Sequence, residues 1–296
     1  MSKTVGIVGL GIMGGAIALN LIDRGWTVFG FDLSSDRCAD VAGAGGVITS
    51  SVSDLSFKAP LILVSLPTPA AAHAVAKEIA SCGASQRIVV EASTFSITDK
   101  MRFEAILSDS GHVALDCPLS GTGAQAKNRD LVVYASGHSE AIARCAPLFA
   151  DFAKQSADLG RYGNGSRMKF VANLLVAIHN VAAGEAMALA IKAGLDRDQV
   201  VTLIGPGAGG SRMFQMRAPM MAKEKFEPAT MRISTWQKDM QIIREFAEEL
   251  RCPVPLFDTT EPIYKRALDE GFGDLDTASV FKIMKEMAGL TETNAG

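Results

Sequence analysis

The 296-residue chain is 48% hydrophobic, and its 29 basic and 32 acidic residues leave a net charge of −3. Lys and Arg are scattered, so no basic patch suggests a nucleic-acid partner, and no uninterrupted apolar run approaches the ~20 residues that a bilayer-spanning helix needs. The five cysteines (38, 82, 117, 145, 252) show no C-x-x-C spacing and the four histidines (73, 112, 138, 179) no ligand pair, which suggests reduced thiols in a cytoplasm and no metal centre.

The first residues, MSKTVGIVGLGIMGG, place one lysine before apolar residues as a secretory leader does, but glycines interrupt the apolar region. They are expected to open the fold instead. In chain order, strands are predicted at 4–10, 27–32, 61–66, 87–93, 113–120 and 131–137, with helices between them, for example at 12–24, 69–81 and 139–150. Most of these strands are continuously apolar, as parallel strands covered on both faces are. The βαβα order predicts an α/β fold, a doubly wound Rossmann-type sheet. Past Gly160 only helical patterns remain, at about 165–193, 196–204, 231–249, 256–270 and 277–288. Two domains are expected, 1–162 and an all-α 163–296, with the long helix from 165 extending ~40 Å at 1.5 Å per residue.

Between the first strand and first helix stands Gly9-Leu10-Gly11-Ile12-Met13-Gly14, a G-x-G-x-x-G. In that context the first glycine permits a tight turn, the second admits a pyrophosphate close to backbone, and the third lets helix and strand pack closely. The helix N-terminus adds partial positive charge. Asp32 ends the second strand 18 residues after Gly14, where a carboxylate accepts hydrogen bonds from an adenosine ribose. It would also repel a 2′-phosphate, so NAD is expected over NADP. Arg37, five residues on, could swing toward such a phosphate.

The helix beginning GNGSRMKFVANLLVAIHN (163–180) looks buried all round, yet carries Lys169 and Asn173 four positions apart, hence on one face. A buried ammonium without a partner is costly. The two side chains therefore either meet a partner or take part in chemistry.

Four motifs in fixed order, GLGIMG (9–14), DCPLSGTGAQA (116–126), GNGSRMKFVAN (163–173) and KDM (238–240), resemble those of the β-hydroxyacid dehydrogenase family over essentially the whole chain. The resemblance implies a dinucleotide-binding domain followed by an all-helical domain for substrate binding and dimerisation, in homodimers or homotetramers. It gives Lys169 the role of general acid/base and has Asn173 orient the substrate hydroxyl or the lysine. Ser120, Gly121 and Thr122 would receive the substrate carboxylate. Leu66, Pro67 and Thr94 would line the cofactor, and Lys238 would close over the nicotinamide, held by Asp239. Four positions depart from the family pattern: Thr122 and Arg129 stand where relatives usually have glycine, Glu91 where they have Asp, and Ile97 where they often have Pro.

Oxidative decarboxylation of the 6-phosphogluconate dehydrogenase type is disfavoured by Val176, seven residues after the lysine, where those enzymes carry a Glu. Imine reductases of similar fold generally replace the lysine. A non-catalytic NAD-binding protein would have no use for Lys169, Asn173 and Ser120 together. The substrate is expected to be a small hydroxy acid, with slight preference for a polar sugar acid. Arg212 and Arg217, on a glycine-rich loop at 205–217, are either contacts to its distal end or surface residues.

Overall fold

A computed structural model of the chain describes residues 3–290. It divides into two compact units, Met1–Lys169 and Phe170–Gly296. The boundary expected at 162/163 lies a few residues upstream of this division, which falls inside a continuous helix.

The first unit alternates strands and helices in the order β1 (Thr4–Val8), α1 (Ile12–Asp23), β2 (Thr27–Phe31), α2 (Ser35–Gly43), β3 (Val47–Ile48), α3 (Val52–Lys58), β4 (Leu61–Val64), α4 (Pro69–Ser81), β5 (Ile88–Glu91) and α5 (Ile97–Ser108). It continues with β6 (Val113–Asp116), β7 (Leu119–Ser120), α6 (Gly123–Lys127), β8 (Val132–Gly137), α7 (Ser139–Phe152) and β9 (Gln155–Asp158), then enters α8 (Asn164–Lys192). The sheet runs β3-β2-β1-β4-β5-β6-β8-β7, with β9 against β8. The strands from β3 to β6 are parallel.

The continuously apolar strands feed two cores. In β4, Leu61 and Leu63 join the cluster that includes Ile17 of α1 and Phe149 of α7, whereas Ile62 and Val64 join the one that includes Leu55 of α3 and Phe103 of α5. Successive side chains thus point to opposite faces, and each face has its own helices. The parallel expectation fails at one strand: β8 runs antiparallel to β6 and β7. The stretch 113–120, read as one strand, is interrupted at Cys117-Pro118. Proline cannot donate to a ladder, although its carbonyl still accepts from the Tyr134 N–H at 3.1 Å.

The second unit is helical: the remainder of α8, then α9 (Arg197–Ile204), α10 (Arg212–Ala222), α11 (Ile233–Glu249), α12 (Pro255–Asp269), a 3₁₀ turn (Thr277–Ser279) and α13 (Val280–Met287). Phe170 of α8 meets Phe246 of α11 edge-on at 5.1 Å between centroids. Asn180 of α8 donates to Tyr264 Oη at 2.9 Å and to the Thr277 carbonyl at 2.8 Å.

Three expectations about this region need correction. By length and composition α8 is long and apolar enough to cross a membrane, with mean hydropathy 1.7 over its best window. Counting uninterrupted runs missed this because Lys169 and Asn173 break the run. Nor is α8 buried all round: Met168, Val171, Leu175 and Leu189 are exposed. The segment 205–217 is only partly a loop, since α10 begins at Arg212. Arg217 is 3% exposed and pairs with Asp276 at 2.9 Å, its Nη1 also donating to Thr230. A guanidinium so enclosed ties α10 to the segments around 230 and 276 and is not offered to a substrate.

Candidate active site

At the glycine-rich turn after β1 the three glycines serve three purposes. Gly9 has φ +91°, a left-handed conformation that disfavours a side chain, and a Cβ there would also strike the Ser65 carbonyl. A Cβ on Gly14 would strike the Gly9 carbonyl, so the third glycine is required for packing. Gly11 differs: a Cβ there would meet nothing nearer than Arg37 Nη1 at 3.7 Å. Its bareness is not needed by the protein's own packing, as expected if a ligand approaches there. Gly11 is also the N-cap of α1 and has no side chain to cap it, which leaves first-turn N–H groups, beginning with those of Ile12 and Met13, to face an anion. Leu10 is buried and Ile12 exposed. These residues fit the pyrophosphate of a dinucleotide.

Asp32 follows β2, largely covered. Its Oδ2 accepts the Leu10 N–H at 2.7 Å and its Oδ1 the Ser34 N–H at 2.8 Å. The carboxylate therefore pins the glycine turn to the end of β2 while each oxygen keeps a further lone pair for ribose hydroxyls. Arg37 lies 3.6 Å from Asp32 Oδ2 with 56% of its side chain exposed.

Leu66 and Pro67 follow β4, and Thr94 follows β5, at the C-terminal edge of the sheet where doubly wound folds bind ligands. The Leu66 N–H donates to Ser93 Oγ at 2.9 Å, which ties the two loops together.

Ser120 ends β7, and Gly121 turns the chain with φ +135°. Thr122 is the N-cap of α6, its N–H donating to Gln125 Oε1 at 3.0 Å and its hydroxyl lying 3.5 Å from the same oxygen. That accounts for a threonine at a usual glycine position: it starts a helix. Arg129 has φ +56°, the left-handed region that favours glycine, the residue expected there from the family pattern.

Lys169 lies on α8 and is buried. One turn further along the same helix, within the second unit, Asn173 is buried, its Nδ2 donating to Asp239 Oδ2 at 3.0 Å. Lys238 pairs with the other oxygen of Asp239, also at 3.0 Å. The expected Lys238–Asp239 contact is thus present, and Asn173 joins it.

A buried polar cluster beside these loops escaped sequence reasoning. Lys100 of α5 is paired with Glu91 and Asp116, both also fully buried, and Asp116 is bonded to Ser166 on the first turn of α8. The one signal was Glu91 in place of the usual Asp. Its partner, nine residues on in a helix of polar composition, reads as a surface lysine. Among the described residues no group of His, Cys, Asp and Glu is placed to hold a metal ion.

Known proteins place this arrangement. Residues 4–162 match the NAD-binding domain of 6-phosphogluconate dehydrogenase, and residues 163–284 match the NAD-binding domain described for NADP-dependent 3-hydroxyisobutyrate dehydrogenase. The chain is 30% identical to an L-threonate dehydrogenase of Cupriavidus necator, covering 99% of this chain and all of that one. It is 27% identical to glyoxylate/succinic semialdehyde reductase 1 of Arabidopsis thaliana, over 95% of this chain and 98% of that one. The crystal structure of a 3-hydroxyisobutyrate dehydrogenase from Salmonella typhimurium superposes with a TM-score of 0.84 at 28% identity, covering 95% of this chain and 99% of that one. With a glycine turn that fits a pyrophosphate, a helical second unit and these relatives along its whole length, the chain belongs to the β-hydroxyacid dehydrogenase family of NAD(P)-dependent oxidoreductases acting on hydroxy acids.

Proposed function

We propose that this member oxidises a small polar hydroxy acid, and reduces its keto or semialdehyde form, with Lys169 as general acid/base and NAD as the preferred coenzyme. The observation that carries the reading is Lys169 itself: a buried lysine on the apolar helix α8, in the motif where the family keeps its acid/base. A bound nicotinamide supplies the hydride acceptor. Lys169, as the neutral amine, takes the proton of the substrate hydroxyl in oxidation and returns it in reduction. A lysine with an ordinary pKa near ~10.4 would be a poor base at neutral pH, and desolvation counters that by disfavouring the charged form. Asn173 orients the hydroxyl, Ser120, the Gly121 N–H and the Thr122 hydroxyl receive the carboxylate, Leu66, Pro67 and Thr94 line the coenzyme, and Lys238 covers it.

NAD is preferred because Asp32 puts a negative charge where NADP would bring a 2′-phosphate. Arg37 supports NADP as a second, weaker coenzyme, since it stands beside that carboxylate and is free to swing on its exposed side. A sugar acid is favoured over a branched aliphatic acid by the identity to L-threonate dehydrogenase. Arg217 no longer contributes to that preference.

Homodimers or homotetramers, in a cytoplasm, complete the reading. The exposed apolar residues Met168, Val171 and Leu175 recur at helical spacing along α8, a patch of the kind that marks an interface. The five cysteines are all free thiols. Coenzyme reduction screened over C3 to C6 hydroxy acids tests reaction and substrate together. Reduction of NAD by a sugar acid is the expected result, and tight NAD binding with no turnover of any acid would overturn it.

A further inference from the structure

The ends of β4, β5 and β6 and the first turn of α8 converge on one buried cation. Lys100 is completely inaccessible. Its Nζ is bonded to the Glu91 carboxylate, lies 2.9 Å from Asp116 Oδ1 and donates to the Ser93 carbonyl at 2.8 Å. An ammonium has three donors, and here each has its acceptor. Burial opposes the charge, but the facing charges and hydrogen bonds of Asp116 and Glu91 outweigh it and hold the amine protonated.

Each partner of Lys100 reaches onward. Glu91 Oε1 accepts the Ser93 N–H at 2.9 Å, and Ser93 Oγ accepts the Leu66 N–H at 2.9 Å. Asp116 Oδ2 accepts the Ser166 N–H and Oδ1 the Ser166 hydroxyl, both at 2.8 Å. The Gly165 N–H donates to Ser136 Oγ at 2.9 Å, and that hydroxyl lies 3.1 Å from the Asp116 carbonyl. A Cβ on Gly165 would strike the Tyr134 carbonyl and come within 2.6 Å of the Asp116 carbonyl, so α8 is drawn against β6 and β8 as closely as backbone allows. One cation and two carboxylates leave the cluster with one negative charge, which the N-terminal N–H groups of α8 are oriented to offset.

We propose that Lys100 is a positioning residue for the reaction. Through Asp116 and Ser166 it fixes the first turn of α8, and with it Lys169 three residues on. Through Glu91 and Ser93 it fixes Leu66 and the segment entering Thr94. The proposal rests on the reading of Lys169 as the acid/base. A buried ion cluster is a poor means of stabilising a fold, because apolar residues of similar volume do as well. What it supplies is a fixed register between four segments that no single strand or helix connects, at a place where a misplacement of ~1 Å costs up to ~100-fold in rate.

Two variants test this. Glu91→Gln with Lys100→Met removes the cation and one carboxylate and keeps the cluster at one negative charge. Ser166→Ala keeps the cation and cuts its link to α8. Turnover is measured with the fastest of the C3 to C6 hydroxy acids, beside the NAD dissociation constant, the melting temperature and the solvent deuterium isotope effect. Both variants are expected to lose ~10- to 100-fold in kcat with a larger isotope effect, as proton transfer becomes limiting. NAD binding is expected to be little changed in Ser166→Ala, which leaves Leu66 and Thr94 held, and weakened in the double variant. Ser166→Thr, which retains the hydroxyl, is expected to recover most of the loss.

A lower melting temperature with wild-type kcat well below it would make the cluster purely structural and overturn the proposal. So would NAD binding and kcat lost in parallel in Ser166→Ala. Should the double variant fail to fold, Ser166→Ala decides alone. Lys169→Ala is assayed alongside: normal turnover there removes the acid/base reading itself. Loss there with an unaffected Ser166→Ala removes only the role of Lys100.

Discussion

Asn173 and Lys238 are held by opposite oxygens of one carboxylate, that of Asp239, each at 3.0 Å. A carboxylate only accepts hydrogen bonds, so the amide of Asn173 must turn its Nδ2 toward Asp239. Its Oδ1 is left to accept from elsewhere, which suits an amide that orients an alcohol proton. Asp239→Asn would present an acceptor to one neighbour and an NH₂ group to the other, so both partners cannot be held. Hydrogen bonds to charged groups contribute roughly 1.5–3 kcal/mol, and a fall of about tenfold or more in kcat/KM is expected. In a double-mutant cycle, Asn173→Ala and Asp239→Ala should combine to less than the sum of their separate effects. Strict additivity in that cycle would mean that the contact does not bear on catalysis.

Replacement of Lys169 by Ala is expected to lower turnover by at least ~100-fold, the low end for general acid–base catalysis, while NAD still binds. Titration of the variant with NAD by fluorescence, beside steady-state rates, separates the two effects. Near-normal turnover would refute the role given to the lysine.

Coenzyme choice turns on Asp32 and its neighbour Arg37. Asp32→Ser removes the charge that opposes a 2′-phosphate and leaves Arg37, now unpaired from it, beside the pocket. The ratio of kcat/KM for NAD to that for NADP should narrow by about tenfold, equivalent to ~1.4 kcal/mol. Because Asp32 also accepts the Leu10 and Ser34 N–H groups, the variant should melt at a lower temperature as well. An unchanged ratio would remove the ribose role and leave only the structural one.

What was legible in the sequence was local. Gly9, Gly11 and Gly14 each answer to a constraint within one βα turn, so their spacing suffices to identify it. Lys169 stood out because a charge on an apolar helix is anomalous in its own neighbourhood. The Lys100 cluster joins residues 9 and 50 positions apart, Glu91 to Lys100 and Asp116 to Ser166, and nothing about ITDK by itself marks its lysine as buried. Arg217 was misjudged for the same reason: Asp276, which occupies it, lies 59 residues on. The antiparallel β8 was equally hidden, since an apolar run gives strand content and not direction.

Arg129 carries a prediction from backbone alone. With φ +56° it holds a conformation that costs an ordinary residue roughly 1–2 kcal/mol. Glycine removes that strain and gives back about 0.5–1 kcal/mol through the entropy of the unfolded chain. The salt bridge to Asp23, at 3.5 Å between a partly exposed arginine and a largely exposed carboxylate, adds little. Arg129→Gly is therefore expected to stabilise by ~0.5 kcal/mol, read as a small rise in melting temperature with unchanged kcat. A clear fall would show that the arginine makes contacts worth more than its strain.

The buried cluster also fixes how stability should depend on alkaline pH. The pKa of Lys100 is raised above its ordinary 10.5, because Asp116 and Glu91 outweigh the effect of burial. Below 10.5 both folded and unfolded chains hold the proton, and the cluster contributes in full. As pH rises past that value the unfolded chain sheds the proton first, so the contribution is progressively lost. Tyr162, raised by burial and then by the charges of Asp116 and Glu91, acts with the same sign above its ordinary 10.0. The buried thiols Cys117 and Cys145, raised by burial above their ordinary 9.0, act with the same sign, so the melting temperature should stay nearly level from neutrality to about pH 8.5 and fall beyond it. In Glu91→Gln/Lys100→Met the fall should be shallower, because the lysine part is gone and only the parts of the buried tyrosines Tyr162 and Tyr264 and the buried thiols Cys117 and Cys145 remain, all raised by burial. Melting curves of the two proteins between about pH 7 and 11 make the comparison, and parallel slopes would mean that Lys100 is not held as a cation in the folded protein.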